Sequence, residues 1–373
     1  MRVLILSGTY PPLKCGVGAY TSLFMEALKK NGIEVCLLTS QDALKAEGVY
    51  PEIKVWKMSA LPQIIEFIQK LKPDIIDFQY PTIAYRRKIF ANLLPFLLRL
   101  KGIKVPIVTT FHEFTEVGYP GKFRSLLLIL LSQHVILKNK ADLEILKRLF
   151  FWKKFTFIPI GSNIKVKEYR PDQLIKLRKK LGLVAKKESL LLYFGFIDES
   201  KGIDDLLEAT TLLILKGVPV KLLLIGGFNP QNNTYHHHLE RLVEKLHLAD
   251  KVFWLGFVSD EEISQYFQIA DIGVFPFKKG VSLRRGTVMG TLIHGVPVIT
   301  TLGKYTTADF VNGKNVILVE PKDPAVLAKT IEELLQNQTL LQILKRNAKI
   351  FSQSFAWETI ADNSRKFYQS LLR

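Results

Sequence analysis

Residues 271–301 read DIGVFPFKKGVSLRRGTVMGTLIHGVPVITT. A continuous apolar run at 271–277 leads into a basic loop, then a small, glycine-punctuated helical pattern from Arg284 or Gly286, then a second apolar run at 297–300. Strands that are apolar at consecutive positions are buried on both faces, so this is one strand–helix–strand unit of a mostly parallel sheet covered by helices. The unpaired amides of the helix start, with Arg284 and Arg285 beside them, suit a diphosphate, and 280–301 hold no carboxylate for acid or base chemistry. The plainer reading, an arginine facing water on an early helical turn, holds for at least one of the two.

The same alternation extends in both directions. Strand-like runs stand at 3–6, 35–39, 74–78, 106–111, 134–137 and 155–160, with helical patterns at 18–30, 61–71 and 85–100. A second series occupies 189–194, 220–226, 251–256, 271–277, 297–300 and 315–319. PIGSNIKVKEYRP, with its prolines, glycine and polar residues, suits an interdomain connection. The expectation is two doubly wound α/β domains in tandem, 1–165 and 166–352, with 353–373 as a closing helix. Such sheets bind ligands beyond the carboxyl ends of their strands.

At 373 residues the chain exceeds what one hydrophobic core usually serves, and 48% apolar with 23% charged residues is an ordinary globular composition. Two cysteines, Cys15 and Cys36, are too few for a disulfide framework and favour a reducing compartment. The opening MRVLILSGTYPP breaks too early for an export signal, and Leu126–Leu131 is too short to span a bilayer. The expectation is a soluble cytoplasmic protein. The formal charge of +18 attracts polyanions without specifying which, and scattered lysines on a solvated surface also account for it. No recognised motif or aromatic platform accompanies the charge, so nucleic acid is not expected as a partner.

Three further loops follow strands. In SGTYPPLKCGVGAYTSLF, Gly16 and Gly18 precede a helix and permit close approach of a ligand to its first amides. The motif is not a dinucleotide fingerprint, because Thr21 stands where the third glycine belongs. VTTFHEF places His112 and Glu113 past a strand end, where the histidine either meets a ligand or is satisfied by backbone. In YFGFIDESKGIDDLLEA, Gly195 ends a strand and Lys201 opens a helix, where a cation opposes the helix dipole unless it meets an anion.

Taken in order, YPPLKCGVGAYT, VTTFHEF, IPIGSNI, KGIDDLLEA, FWLGFVSDEEISQYFQIADIGVFPF and HGVPVITT resemble the landmarks of the retaining GT-B glycosyltransferases, group 1 or family 4-like. The resemblance covers nearly the whole chain and implies two Rossmann-like domains facing a central cleft. The first would take the acceptor and the second a nucleotide-diphosphate sugar, and the closing FAWETIADNSRKFYQSLL would cross back to the first. It further implies that Gly16, Val17 and Gly18 line the donor, that His112 sits near the anomeric carbon, and that Lys201 neutralises the leaving diphosphate. Gly195 and Gly286 belong to the donor loops, and Phe257 and Val258 match the segment beside the base. The implied reaction needs neither metal nor cofactor and relies on cations that stabilise the departing nucleotide.

This sequence also departs from the family. Phe196 occupies the place of an arginine, and the two glutamates that contact sugar and ribose are replaced by Ser282 and Gly290. The expectation is that Arg284 or Arg285 substitutes at the diphosphate while Ser282 faces the sugar; a noncatalytic nucleotide-sugar-binding protein is the alternative. The run HHH at 236–238 reads as a solvated helix start, since adjacent helical residues diverge and cannot share a metal. RRKIFANLLPFLLRLKGIK, 86–104, is basic, amphipathic and free of acids. It either lies on an anionic membrane face, which would make the protein peripheral and its acceptor lipid-linked or an envelope glycan, or is a domain helix bent at Pro95.

Overall fold

A computed structural model describes residues 1–13, 15–80, 85, 89–112, 114, 118–162, 164–183, 188–304 and 306–373. The chain divides into two compact units, Met1–Gly161 with Ser354–Arg373, and Ser162–Gln353. The divisions thus fall at 161/162 and 353/354, not at 165/166 and 352/353. Ser162 already belongs to the second unit, where its hydroxyl accepts from the Ile164 amide at 3.1 Å and Ile164 enters the core.

The first unit runs β1 Arg2–Ser7, α1 Gly16–Lys30, β2 Glu34–Ser40, β3 Val49–Ile53, α2 Leu61–Leu71, β4 Ile75–Tyr80, α3 Ile89–Leu100, β5 Ile107–Phe111, α4 Tyr119–Leu131, β6 His134–Leu137, α5 Lys140–Leu149 and β7 Phe155–Phe157. The strands form one parallel sheet in the order β3-β2-β1-β4-β5-β6-β7. The consecutive apolar residues of β1 are sorted by the pleat: Leu4 and Leu6 enter a core with Ile64, Leu94 and Leu128, while Val3 and Ile5 enter another with Tyr20 and Phe24. Burial on both faces is the reason these strands do not alternate in hydropathy.

The second unit runs α6 Pro171–Lys180, β8 Ser189–Phe194, α7 Ile203–Leu215, β9 Val220–Ile225, α8 Thr234–Lys245, β10 Val252–Gly256, α9 Asp260–Ile269, β11 Ile272–Phe275, α10 Gly286–Ile293, β12 Val298–Thr301, β13 Ile317–Val319, α11 Pro324–Gln336 and α12 Gln338–Ser352. Its parallel sheet has the order β10-β9-β8-β11-β12-β13. Both sheets reverse direction once, at β1/β4 and at β8/β11. The loops leaving these strands diverge there and leave room for a ligand at the carboxyl edge.

The last helix, α13 Trp357–Leu371, belongs to the first unit and packs on α1. Trp357, Ile360, Ala361 and Tyr368 fill the core beside Tyr20 and Phe24. Tyr368 reaches the fully buried Asp77 of β4 and donates to its Oδ2 at 2.5 Å, while the Thr110 hydroxyl donates to Oδ1 at 2.7 Å. Burial pushes the Asp77 carboxyl up, and these two hydroxyls partly offset that shift.

Phe90, Ala91, Leu94 and Leu98 of α3 are buried in the core, while Ile89, Phe96 and Leu100 are exposed. Most of the apolar face expected to lie on a membrane is therefore used for folding. Arg86, Arg87 and Lys88, the cations at the start of that segment, lie outside the described residues. Among the described residues no helix is long and apolar enough to cross a membrane.

Replacing Tyr368 by Phe removes one donor from a buried carboxylate, which costs about 1–3 kcal/mol. Urea unfolding should show that loss for Tyr368→Phe, and a stability equal to wild type would mean that the bond does not anchor α13.

Candidate active site

The carboxyl edge of the second sheet is assembled by contacts between its own loops. After β9, Gly226 has φ +159, and a Cβ there would stand 2.0 Å from the Gly195 carbonyl, so the loops after β8 and β9 approach as only glycine permits. Gly202, at φ +70, likewise brings the loop after β8 against the Pro276 carbonyl, which a Cβ would meet at 2.1 Å. The Lys278 amide then donates to the Ser200 carbonyl at 3.0 Å. Gly195, Lys201 and the 276–286 loop therefore flank the β8/β11 switch point.

His236 ties in the loop after β9. It is buried, accepts from the Asn229 amide at Nδ1 (2.9 Å) and donates from Nε2 to the Ile197 carbonyl (2.8 Å). Its ring stacks on Phe228, which stacks on Trp254 at 3.8 Å. The 236–238 run is thus not a wholly solvated helix start: His237 and His238 are exposed, and His236 is a structural crosslink. Sequence reasoning missed it because its partners are backbone atoms of other loops. Among the described residues no group of three or more His, Cys, Asp or Glu is placed to hold a metal ion.

Lys201 closes a short 3-10 turn, Glu199–Lys201, and α7 begins two residues later. The expected anion is supplied by the loop itself: Lys201 Nζ donates to Asp198 Oδ2 at 2.7 Å and to Ser200 Oγ at 3.0 Å. Burial opposes ionisation of Asp198, but Lys201 and Ser200 outweigh it and hold its carboxyl below the usual range. Behind this turn Lys278 pairs with Asp204 at 2.8 Å, and burial together with Asp204 pushes Asp205 up to about 6.

In the loop after β11, Ser282 is buried and its Oγ has no hydrogen-bond partner among the described residues. The Arg285 amide donates to the Ser282 carbonyl at 3.0 Å, which curls the chain into α10 at Gly286. The Arg285 guanidinium lies over the Phe277 ring, 4.6 Å from its centre, and its buried Nε has no partner among the described residues. The first turn of α10 has no acidic residue and no side-chain cap. Arg284 is half-buried on the same turn. Gly290 is inside α10, where an added Cβ would touch Ser162 Oγ at 3.4 Å and Phe267 at 3.6 Å, so the position of the second absent glutamate is packed against the start of this unit. Phe196 and Phe257 are exposed, the Phe257 ring lying against Gly227, and Val258 is half-buried.

In the first unit Gly16, Val17 and Gly18 form the first turn of α1, with Gly16 exposed and Gly18 buried beneath the Tyr10 backbone. His112 is buried and donates from Nε2 to Gln79 Oε1 at 2.8 Å, so a side chain satisfies it; Glu113 lies outside the described residues. The Tyr20 ring meets His112 edge-on at 4.9 Å, and the Tyr20 hydroxyl accepts from Lys138 Nζ at 2.6 Å. Lys138 is fully buried beyond β6, and burial lowers its ammonium to about 7 against the opposing pull of Asp77. No pattern in the sequence marked Lys138.

Residues 175–351 match the family described as Glycosyl transferases group 1. The chain carries a group 1 glycosyltransferase domain. Over its whole length it is 24% identical to the alpha-monoglucosyldiacylglycerol synthase of Acholeplasma laidlawii, covering 100% of this chain and 98% of that one. It is 25% identical to the capsular polysaccharide biosynthesis glycosyltransferase CapM of Staphylococcus aureus, over 81% of this chain and 79% of that one. Among solved structures, Anabaena HepE in complex with UDP and glucose is 17% identical with a TM-score of 0.76, over 99% of this chain and 100% of that one. The two α/β units of this glycosyltransferase have the GT-B fold.

Lys138 gives the glycosyltransferase a pH signature. Unfolded, the lysine keeps its proton to about 10.5, and folded it loses it near 7, so in that window the unfolded state binds more protons and stability rises with pH. Between about pH 7 and about pH 9 the contribution is about 2 kcal/mol. Urea unfolding should show this rise, and Lys138→Met should remove it; an equal rise in the variant would contradict the assignment.

Proposed function

We propose that this glycosyltransferase moves a sugar from a nucleoside-diphosphate donor to a lipid-linked or cell-envelope glycan acceptor, with retention and without a metal. Arg285 carries this reading. A half-buried guanidinium held on an aromatic ring, with a buried Nε that meets no partner among the described residues, is costly unless an anion completes it. The UDP in HepE and the lipid product named for the Acholeplasma relative support the donor and acceptor classes.

In this scheme the second unit binds the donor. Arg285 or Arg284 and the amide of Thr287, beside Gly286, take the diphosphate, and Lys201, held in place by Asp198 and Ser200, adds a second cation. Ser282 offers its unpartnered hydroxyl to the sugar where the family has a glutamate. Gly195 leaves room for the phosphates, and Phe257 and Val258 flank the base. In the first unit Gly16, Val17 and Gly18 present backbone, and His112, oriented by Gln79 and Tyr20, an imidazole, for sugar hydroxyls. The bond between C1 and the phosphate oxygen breaks as the acceptor oxygen bonds C1 on the same face. The acceptor proton passes to the departing phosphate, so no protein carboxylate is required.

The replacement of both glutamates favours a second reading, a nucleotide-sugar-binding protein without transferase activity. Incubating the purified protein with uridine, guanosine and adenosine diphosphate sugars, and following both binding and release of nucleotide, separates the two. Binding with turnover supports the enzyme, binding without turnover the second reading, and no binding excludes both.

Loss of a charge-assisted hydrogen bond is worth about 1.5–3 kcal/mol, so Arg285→Gln should lower kcat/KM for the donor about tenfold to a hundredfold. Steady-state kinetics on the preferred donor test this, and an unchanged kcat/KM in both Arg285→Gln and Arg284→Gln would remove the arginines from the site.

A further inference from the structure

The amino edge of the first sheet, opposite the edge that carries His112, has an unusual surface. Helices of a parallel sheet run counter to its strands, so the ends of α3, α4 and α5 all emerge there. They are tied together: Arg99 donates to Gln133 Oε1 at 2.6 Å, and Lys153 donates to the Ser132 carbonyl at 2.5 Å. His134 lies in the field of both cations, which with burial hold its imidazole below the usual value.

On this edge Phe151 is 82% exposed and Trp152 59%, with Leu149 and Leu130 also more than half exposed. Two neighbouring aromatics at such exposure are not core residues, and the next ring inward, Phe150, is the one that is buried. Lys147, Arg148 and Lys154 flank them in the chain, and Lys101 and Lys104 follow α3 on the same edge, all five exposed. Segments 99–104, 130–134 and 147–154 contain no Asp or Glu. Arg99 donates only to neutral acceptors among the described residues, Gln133 and the Ile103 carbonyl. Beside it a groove of about 550 Å³ is lined by Arg99, Lys104, Leu130, Leu131, His134 and Leu371.

We propose that this edge is a docking face for an anionic lipid surface, with Phe151 and Trp152 entering the interfacial region and the surrounding cations meeting lipid phosphates. The charge decides the occupant. Segments 99–104, 130–134 and 147–154 carry only positive charges around the exposed rings, the combination that suits a headgroup layer. Tryptophan is at home there because its ring is apolar and its N–H polar. Each lysine or arginine held near such a surface strengthens binding about fivefold. The docking face is thus built from the helix ends at 99–104 and 147–154, and the apolar side of α3 is not part of it. The inference does not depend on which donor the second unit binds.

The test is co-sedimentation of the full chain with vesicles of phosphatidylcholine alone or mixed with phosphatidylglycerol. Binding is expected only with phosphatidylglycerol, and it should weaken with added salt. Phe151→Ser with Trp152→Ser, and separately Lys147→Glu with Arg148→Glu and Lys154→Glu, should each weaken it by at least about tenfold, with far-UV circular dichroism unchanged. These are exposed positions, so folding is spared. Tryptophan emission should shift to the blue on vesicles, and Trp152→Phe should lose most of that shift while still binding. Failure of the wild type to bind, equal binding to neutral vesicles, or full binding by both multiple variants would each overturn the proposal. So would loss of binding on substituting Ile89 and Phe96 of α3 instead.

Discussion

The proposed chemistry rests on a guanidinium that meets no carboxylate among the described residues. Arg285 is held over Phe277 at a switch point of the second sheet, and neither its own turn nor the first turn of α10 offers it an acid. Arginine is weakly hydrated and stacks well, so it tolerates this position better than lysine would. Even so, partial burial of an uncompensated charge is unfavourable, and the simplest compensation is an anionic ligand. Lys201 presents the opposite case. Its loop supplies Asp198, so its ammonium is already oriented, and a diphosphate there would share it with the carboxylate.

The surrounding loops have little freedom to rearrange. Gly226 against the Gly195 carbonyl, Gly202 against Pro276, and His236 bridging Ile197 and Asn229 fix three loops to one another. The first unit is organised differently, around a buried polar cluster. Asp77, Thr110, Tyr368, Lys138 and Tyr20 join β4, β5, α13, α1 and the end of β6, and Tyr20 passes that constraint to His112. Such networks are costly when incomplete and confer a single arrangement when satisfied.

Most of the fold was legible because buried parallel strands are continuous apolar runs. The strands at 189–194 and 134–137 and the helix at 61–71 have the bounds read from the sequence. β3 was not legible: Val49–Ile53 contains Pro51 and only its two end residues are buried, as an edge strand allows. The start of α10 was readable to within two residues, at Arg284 or Gly286, and the helix begins at the second. What the sequence hid were long-range polar contacts. Asp77 and Tyr368 stand 291 residues apart, and Lys138 and Tyr20 stand 118 apart, so no local pattern announces them. Within 86–104, Phe90, Ala91, Leu94 and Leu98 serve the core while Ile89, Phe96 and Leu100 are exposed, and periodicity alone cannot say whether the partner surface is protein or lipid.

The account is tested most directly by hydrogen exchange of the whole protein with and without a nucleoside diphosphate sugar. It predicts slower exchange at the amides of 285–288 and 196–202, where the anion would engage the α10 start and the Lys201 turn. Unchanged exchange in both segments at a saturating donor concentration, with protection elsewhere, would contradict it.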